Sequence, residues 1–255
     1  MKLITLTTDL GIRDFYIPAM KGILYSSIKE VRVVDITHQI RSFNIVEAAT
    51  ILKNSYHYYP KGTIHLVDVN SNYNSQPVYC AAQADGYVFV GADNGIIPHV
   101  IEKTPDRIVE IGTTTVSHFP LKDVLVPAAI ELANGKKISE LGPDIGDFNR
   151  LAFLSPAITP DTIKGTVMYV DSFMNAITNI HVDTFDQARK GRSFKISLRR
   201  TESINYICDA YGDVPEGEIV AIFGMSGYLE IAINKGRAAT LLGLEKDQPI
   251  IIDFE

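Results

Sequence analysis

MKLITLTTDLGIRDFYIPAMKG, residues 1–22, runs a short apolar strand into the polar turn Thr7-Thr8-Asp9-Leu10-Gly11 and then, past Asp14, into a helix. Strand, polar turn and helix in this order form the unit with which open α/β sheets present ligand groups at their strand ends. Asp9 falls at such an end, where a carboxylate can accept two hydrogen bonds from a ribose diol. The stretch therefore points to a nucleoside-type ligand, although a surface Asp that merely ends a strand fits the same residues. Neither G-x-G-x-x-G nor G-x-x-x-x-G-K-[ST] occurs, so the ligand lacks a diphosphate or holds it elsewhere.

Working outward, strand and helix signals alternate. Residues 3–7 read as a strand, 15–28 as a helix and 31–35 as a second strand. A further helix starts at Asn44, three residues before Glu47 in a capping-box arrangement, with Ile45, Ala48, Ala49, Leu52 and Tyr56 at helical spacing. It ends before Pro60-Lys61-Gly62. Strands follow over 63–69, 78–83, 87–91 and 107–111, and a capped helix over 123–133 closes at Gly135. This interleaving predicts a largely parallel sheet covered on its faces. After LSPAITPDTIKG, residues 154–165, the pattern changes to short strands over 166–170, 177–181, 194–198, 218–223, 228–233 and 250–253, with one short helix near 237–242. The expected organisation is an α/β domain over 1–158 and a smaller all-β, barrel-like domain over 159–255.

Composition narrows the function classes. The 255 residues are 46% hydrophobic and 21% charged, which suits one large or two medium domains with a sizeable core. A net charge of -6 without basic clusters leaves no electrostatic footprint for nucleic acid or an anionic membrane, so small-molecule chemistry comes first. Cys80 and Cys208 are isolated and read as core residues, with the cytoplasm as the expected compartment. No signal segment and no run of about 18 apolar residues marks the chain for export or insertion. The six histidines lack H-x-H or H-x-x-x-H spacing, so neither a metal nor another cofactor is expected. The absence of G-x-S-x-G disfavours a serine hydrolase.

Five polar clusters interrupt the apolar runs: Thr8-Asp9 with Asp14; Asp35-Ile36-Thr37-His38; Asp68 with Asn70; Asp93-Asn94-Gly95; and Asp171-Ser172-Phe173-Met174-Asn175 with Thr178-Asn179. Four of them fall where a predicted strand ends. Each also fits ordinary turn chemistry, since Asp, Asn and Thr bond nearby backbone amides. In the last cluster Phe173, between polar groups, offers a stacking face of the kind that binds a purine, or serves as a core aromatic.

Taken in order, these segments resemble the S-adenosylmethionine (SAM) hydroxide adenosyltransferase family, which includes the fluorinating and chlorinating SAM enzymes. The matching runs are TLTTDLGIRDFYIPAMKG, VVDITHQI, FNIVEAATIL, YYPKGTIHLVDV, VGADNGII, PAAIELANG, VDSFMNAITNI and SGYLEIAINKGRAATLLGL, covering nearly the whole chain. The resemblance implies a homotrimer that binds SAM between subunits and hydrolyses it to adenosine and methionine by attack of hydroxide at the ribose C5′. By that analogy Asp9 holds the ribose hydroxyls, while Asp171, Phe173 and Asn175 contact the methionine end and adenine. Ser226 serves the methionine end, Asn234 the adenine edge, and Asp68 the water.

Departures fall on the chemistry. The family hydrolases follow the equivalent of Asp68 with Pro-Gly-Val-Gly and place an Arg seven residues beyond it, whereas this chain has Asp68-Val69-Asn70-Ser71-Asn72 and Ser75. The family His corresponds to Pro120, with His118 and Lys122 nearby as candidate substitutes. Met174 takes the place of a common Gly. Three readings stay open: a SAM hydrolase, a SAM- or adenosine-binding protein without turnover, and an adenosyl-group enzyme with an altered substrate.

Overall fold

The computed structural model describes residues 1–101, 103–112, 117–148, 155–198 and 203–255, and its contacts divide the chain into two compact units, Met1–Leu151 and Ala152–Glu255. The N-terminal unit contains strands β1 (Lys2–Thr8), β2 (Val31–Thr37), β3 (Ile64–Asp68), β4 (Tyr79–Ala84), β5 (Tyr87–Ala92) and β6 (Arg107–Glu110), in sheet order β2-β1-β3-β5-β4-β6. Strands β2, β1, β3 and β5 run parallel, and β4 lies antiparallel between β5 and β6. The expected largely parallel sheet is therefore present, with one reversed strand supplied by the tight Asp85-Gly86 turn, both residues at positive φ.

Alternation along the strands divides the core. Ile4, Leu6, Ile64, Leu66, Val90 and Ala92 pack with Ile17, Met20 and Leu24 of α1 (Tyr16–Ser27) and with Val126, Ala128, Ala129 and Ala133 of the later helix Val126–Ala133. The other face meets α2 (Ile45–Lys53) and α3 (Ile96–Ile101), which also pack on each other. The Asn44 cap is present as read: Asn44 Oδ1 accepts from Glu47 N at 3.3 Å, and Asn44 Nδ2 donates to Glu47 Oε2 at 2.9 Å. Tyr56 departs from the expectation, because α2 stops at Lys53 and Tyr56–Tyr58 forms a separate 3₁₀ turn. There Tyr56, Tyr87 and Phe89 surround the fully buried His65, whose Nδ1 lies 2.7 Å from Thr5 Oγ1. Burial pushes the imidazole pKa down to about 3, so His65 is a neutral core residue.

The helix expected over 123–133 begins earlier and in a different form. A π-helical turn, Leu121–Leu125, runs into α4 (Val126–Ala133), and Val126 N bonds the carbonyl of Leu121. Pro127 gives the cause: it lacks an N–H and its ring clashes with the carbonyl four residues back, and a widened turn relieves both. Asp123 is consequently inside the turn rather than capping it. The helix α3 was not expected, since Gly95 and Pro98 resemble turn punctuation.

In the C-terminal unit, β7 (Ala157–Ile158), β8 (Thr162–Val170), β9 (Ala176–His181), β10 (Phe194–Ser197), β11 (Ser203–Ile204), β12 (Ile219–Phe223), β13 (Tyr228–Ile233) and β14 (Pro249–Phe254) pair antiparallel in the order β11-β10-β14-β8-β9-β13-β12, with β7 on β8. Cys208 N donates to Ala221 O at 2.8 Å, joining the chain after β11 to β12 and nearly closing a barrel. Besides the expected short helix, seen as α6 (Ala238–Leu242), a second one, α5 (Val182–Arg189), lies across the barrel and buries only Phe185. Phe185 meets Phe194, Phe223 and Phe254 at centroid distances of 5.1, 5.3 and 6.0 Å.

That single anchor makes a direct test. Phe185→Ala is expected to cost about 3–5 kcal/mol in the unfolding of the C-terminal unit, read by denaturant titration. A loss below 1 kcal/mol would mean that α5 is held by its polar contacts instead.

Candidate functional site

The strand ends of the N-terminal sheet bring the expected carboxylates into register. Thr8 of β1 is the pairing partner of Asp68 of β3, so the turns that follow the two strands leave the sheet side by side. Asp68 is buried at 6% exposure, and burial pushes its carboxyl pKa up to about 6, with Ser71 opposing the shift and the charge of Asp9 adding to it. No Lys, Arg or His among the described residues makes an ion pair or hydrogen bond with it.

The loop after Asp68 is clamped rather than loose. Asn70 takes the left-handed conformation at φ 50°, and Asn94 Nδ2 donates to the carbonyls of Val69 and Asn70 at 2.8 and 3.1 Å. Asn94, which reads as tight-turn chemistry in sequence, thus serves the loop of another strand. Tyr79 OH donates to Asn72 Oδ1 at 2.9 Å, and the Tyr73 hydroxyl accepts from Val78 N at 3.3 Å. Burial raises the Tyr79 pKa, and the neighbouring Asp68 and Tyr73 raise it further. Ser75, at the position of the family Arg, is exposed.

A separate chain of contacts holds the Asp9 turn. Lys21 Nζ lies 2.6 Å from Asp35 Oδ2, Asp35 Oδ1 is 3.0 Å from His38 Nε2, and His38 Nδ1 is 2.9 Å from Thr8 Oγ1. Leu10 N then donates to Thr8 Oγ1 at 3.3 Å, and Gly11 N to the carbonyl of His38 at 2.7 Å. One ring tautomer fits these distances: an Nε2–H turned toward Asp35 Oδ1, and an Nδ1 that accepts the Thr8 hydroxyl. Burial opposes the ionised Asp35, but its bonds to Lys21 and His38 outweigh that and lower its pKa. Asp9 itself accepts from Phe43 N through Oδ2 at 2.8 Å, which ties the turn after β1 to the loop after β2; Oδ1 accepts no hydrogen bond among the described residues. Lys21 and His38 are the members whose role the sequence left unread.

His118 and Lys122 are brought together on one groove. Both are exposed and line a groove of about 400 Å³ with Phe15, Tyr16, Met20 and Phe119. Neither bonds to Asp68 among the described residues, and Lys122 Nζ lies 3.9 Å from Asp123 Oδ1. Pro120, in place of the family His, is buried at the start of the π-helical turn, where the missing N–H costs nothing.

In the C-terminal unit the Asp171 cluster forms one compact loop. Asp171 Oδ1 accepts from Phe173 N at 2.9 Å and Asn175 N at 2.7 Å, while Oδ2 accepts from Asn175 Nδ2 at 3.3 Å. The carboxylate thus builds the loop, which holds Phe173 at 79% exposure with its ring face presented to solvent. Met174 adopts φ 68°, the left-handed conformation that explains a common Gly at this position. A cavity of about 440 Å³ is lined by Phe173, Asn175, Tyr211, Ile233, Lys235 and Gly236. Behind it Tyr211 OH donates to Glu230 Oε2 at 2.6 Å, and burial raises the Glu230 pKa with further help from the Asp171 charge. Asn234 donates through Nδ2 to Val214 O at 2.8 Å, and the Ser226 hydroxyl accepts from Tyr228 N at 3.4 Å, so both contribute to turns. Among the described residues no group of three or more His, Cys, Asp and Glu is arranged to hold a metal ion, and no helix is long and apolar enough to cross a membrane.

An α/β unit with carboxylates gathered at parallel strand ends, and a nearly closed antiparallel unit with an aspartate-built aromatic loop, define a two-domain small-molecule-binding class. Residues 4–142 match the family model described as SAM hydroxide adenosyltransferase N-terminal domain, and residues 165–251 match its C-terminal domain. The chain belongs to the SAM hydroxide adenosyltransferase family. It is 30% identical to an (R)-S-adenosyl-L-methionine hydrolase of Thermus thermophilus, over 98% of this chain and 99% of that one. A fluorinase of Actinopolyspora mzabensis is 22% identical, with 97% and 96% covered. Among solved structures, an uncharacterized conserved protein from Thermotoga maritima superposes with a TM-score of 0.86 at 26% identity, with 98% and 99% covered.

The raised pKa of Asp68 has a signed consequence. Because the folded state holds the proton more tightly than the unfolded one, Asp68 costs stability as pH rises from about 4 through about 6. Asp68→Asn is therefore expected to be more stable than wild type at pH 7.5, by up to about 3 kcal/mol, with the gain vanishing near pH 4. Denaturation of both proteins at the two pH values measures this, and a difference independent of pH would contradict it.

Proposed function

We propose that this chain hydrolyses SAM to adenosine and methionine. The single observation that carries the proposal is the buried Asp68, which bonds no cationic side chain among the described residues and lies beside the Asp9 turn, in a chain related to SAM hydrolases along its whole length. Asp68 accepts a proton from water as the water oxygen bonds the ribose C5′ and the C5′–S bond breaks. The bonding electron pair leaves with sulfur, turning the sulfonium into the neutral thioether of methionine, and the proton passes to solvent. The leaving group carries its own activation, so alignment and partial desolvation of the water are the main demands on the protein.

In this reading Asp9 receives the ribose hydroxyls through its uncommitted oxygen. Asp171, Phe173 and Asn175 serve the methionine end and the adenine, chiefly through the exposed ring of Phe173 and the cavity beside it. Ser226 and Asn234 shape the neighbouring turns. His118 and Lys122, which make no bond to Asp68 among the described residues, stay candidate substitutes for the family His, and the reading rests on Asp68. A homotrimer acting on a small nucleoside ligand in the cytoplasm, without nucleic acid or membrane, completes the proposal. Large apolar side chains left in solvent support assembly: Ile12, Phe15 and Phe43 in one unit are 68%, 72% and 71% exposed, and Met225 in the other 85%.

Incubation of the purified protein with SAM is expected to release adenosine and methionine in equal amounts. Asp68→Asn should lower kcat by about a hundredfold or more, and Asp9→Ala should weaken SAM binding by about tenfold. Calorimetric SAM binding without adenosine would favour the non-catalytic reading, and turnover of another adenosyl compound the altered-substrate one. Sedimentation should give three times the 28.2 kDa chain mass, and a monomer would refute the assembly.

A further inference from the structure

Around Asp68 almost every polar group is already committed. Tyr79 gives its hydroxyl proton to Asn72, the Tyr73 oxygen accepts from Val78 N, and Asn94 spends its amide on the carbonyls of Val69 and Asn70. Ser71 differs. It is 6% exposed, its hydroxyl acts on the Asp68 carboxylate and holds the pKa of that acid down, and its buried Oγ has no other partner among the described residues. Hydrogen-bonding capacity left unfilled on a buried hydroxyl and carboxylate is normally completed by a protein group or an ordered water.

The loop also fixes the backbone that carries that hydroxyl. The left-handed Asn70 and the two bonds from Asn94 hold the backbone on the N-terminal side of Ser71, while the bond from Tyr79 to Asn72 holds the residue after it. An ordered water needs two to four polar partners. A carboxylate that accepts and a hydroxyl that either accepts or donates supply two of them on a rigid frame.

We propose that Ser71 and Asp68 together hold the attacking water, with Ser71 as a second water-contacting catalytic residue. This rests on the hydrolase reading and deepens it: Asp68 takes the water proton, and Ser71 orients the oxygen lone pair toward C5′ without changing its own protonation. The ligand of this subsite is a single water, held among the described residues by a carboxylate and a hydroxyl.

Two measurements on the full chain test it. In steady-state assays with SAM, Ser71→Ala should lower kcat by about tenfold or more with KM within about twofold, and Ser71→Thr should restore most of the loss. The melting temperature of Ser71→Ala should fall by no more than the loss of one hydroxyl contact explains, whereas a merely structural serine would lower it and leave kcat alone. In crystal structures with ordered solvent, wild type should show a water about 3 Å from both Ser71 Oγ and Asp68, lost or displaced in Ser71→Ala. A kcat for Ser71→Ala within twofold of wild type, or a wild-type structure with no shared water, overturns the inference. Wild type that yields no adenosine yet shows the shared water overturns the hydrolase reading and leaves the water site standing.

Discussion

Placing a carboxylate at the buried end of β3 is the constraint around which the N-terminal unit is organised. Parallel pairing sets Asp68 beside Thr8, so the register that buries Ile4, Leu6, Ile64 and Leu66 on one face also delivers the acid to the sheet edge. One residue of slip would turn that apolar set to the opposite face, which makes the core the guarantor of the site. The carboxylate pays in desolvation, and a pKa near 6 is the signature of that cost.

The two kinds of aspartate in the molecule are used differently. Asp35 and Asp171 are consumed by structure: the first anchors His38 and Lys21, and the second gathers the amides of Phe173 and Asn175 into a loop. Asp9 and Asp68 keep capacity unspent. Asp9 uses one oxygen on Phe43 N, and Asp68 meets the Ser71 hydroxyl with no cationic partner among the described residues. The proposed chemistry therefore draws on acids whose hydrogen-bonding capacity the fold has left open, supported by acids whose capacity it has used up.

Much of the architecture was legible because it rests on periodicity. The apolar runs over 3–7, 63–69 and 87–91, separated by helical spacing and the Asn44-x-x-Glu47 cap, lead to a covered parallel sheet with little ambiguity. The missed elements have local explanations. VDTFDQAR buries one side chain, so α5 has almost no apolar stripe to read. IIPHVI sits between Gly95 and a short linker, and Pro98 argues against the helix that a neighbouring helix nevertheless supports. Asp123 imitates an N-cap, whereas Pro127 forces the wider turn around it. At the site, Asp9, Asp68 and Phe173 could be chosen from strand-end position and residue type. Ser71, Tyr79 and Asn94 could not, because each acquires its meaning from a residue brought near by folding: Asn94 from the carbonyl of Val69, Tyr79 from Asn72, and Ser71 from the turn that Asn94 holds.

If the resemblance holds at Ser75 and Pro120, the exchange of a guanidinium and an imidazole for these residues would change the electrostatics of Asp68 in a definite direction. A fixed cation beside a carboxylate favours the ionised form and weakens it as a base; burial without a cation does the opposite. A carboxylate with a pKa near 6 is still mostly ionised at pH 7, yet it holds a proton far more readily than one near 4. The proposed substrate is itself a cation, and its sulfonium brings positive charge to the carboxylate only while it is bound and loses it as the C–S bond breaks. Water activation would then draw on the charge of the substrate rather than on a resident side chain. The carboxylate is most acidic when SAM arrives and most basic as methionine leaves, which is the order in which a proton acceptor is needed.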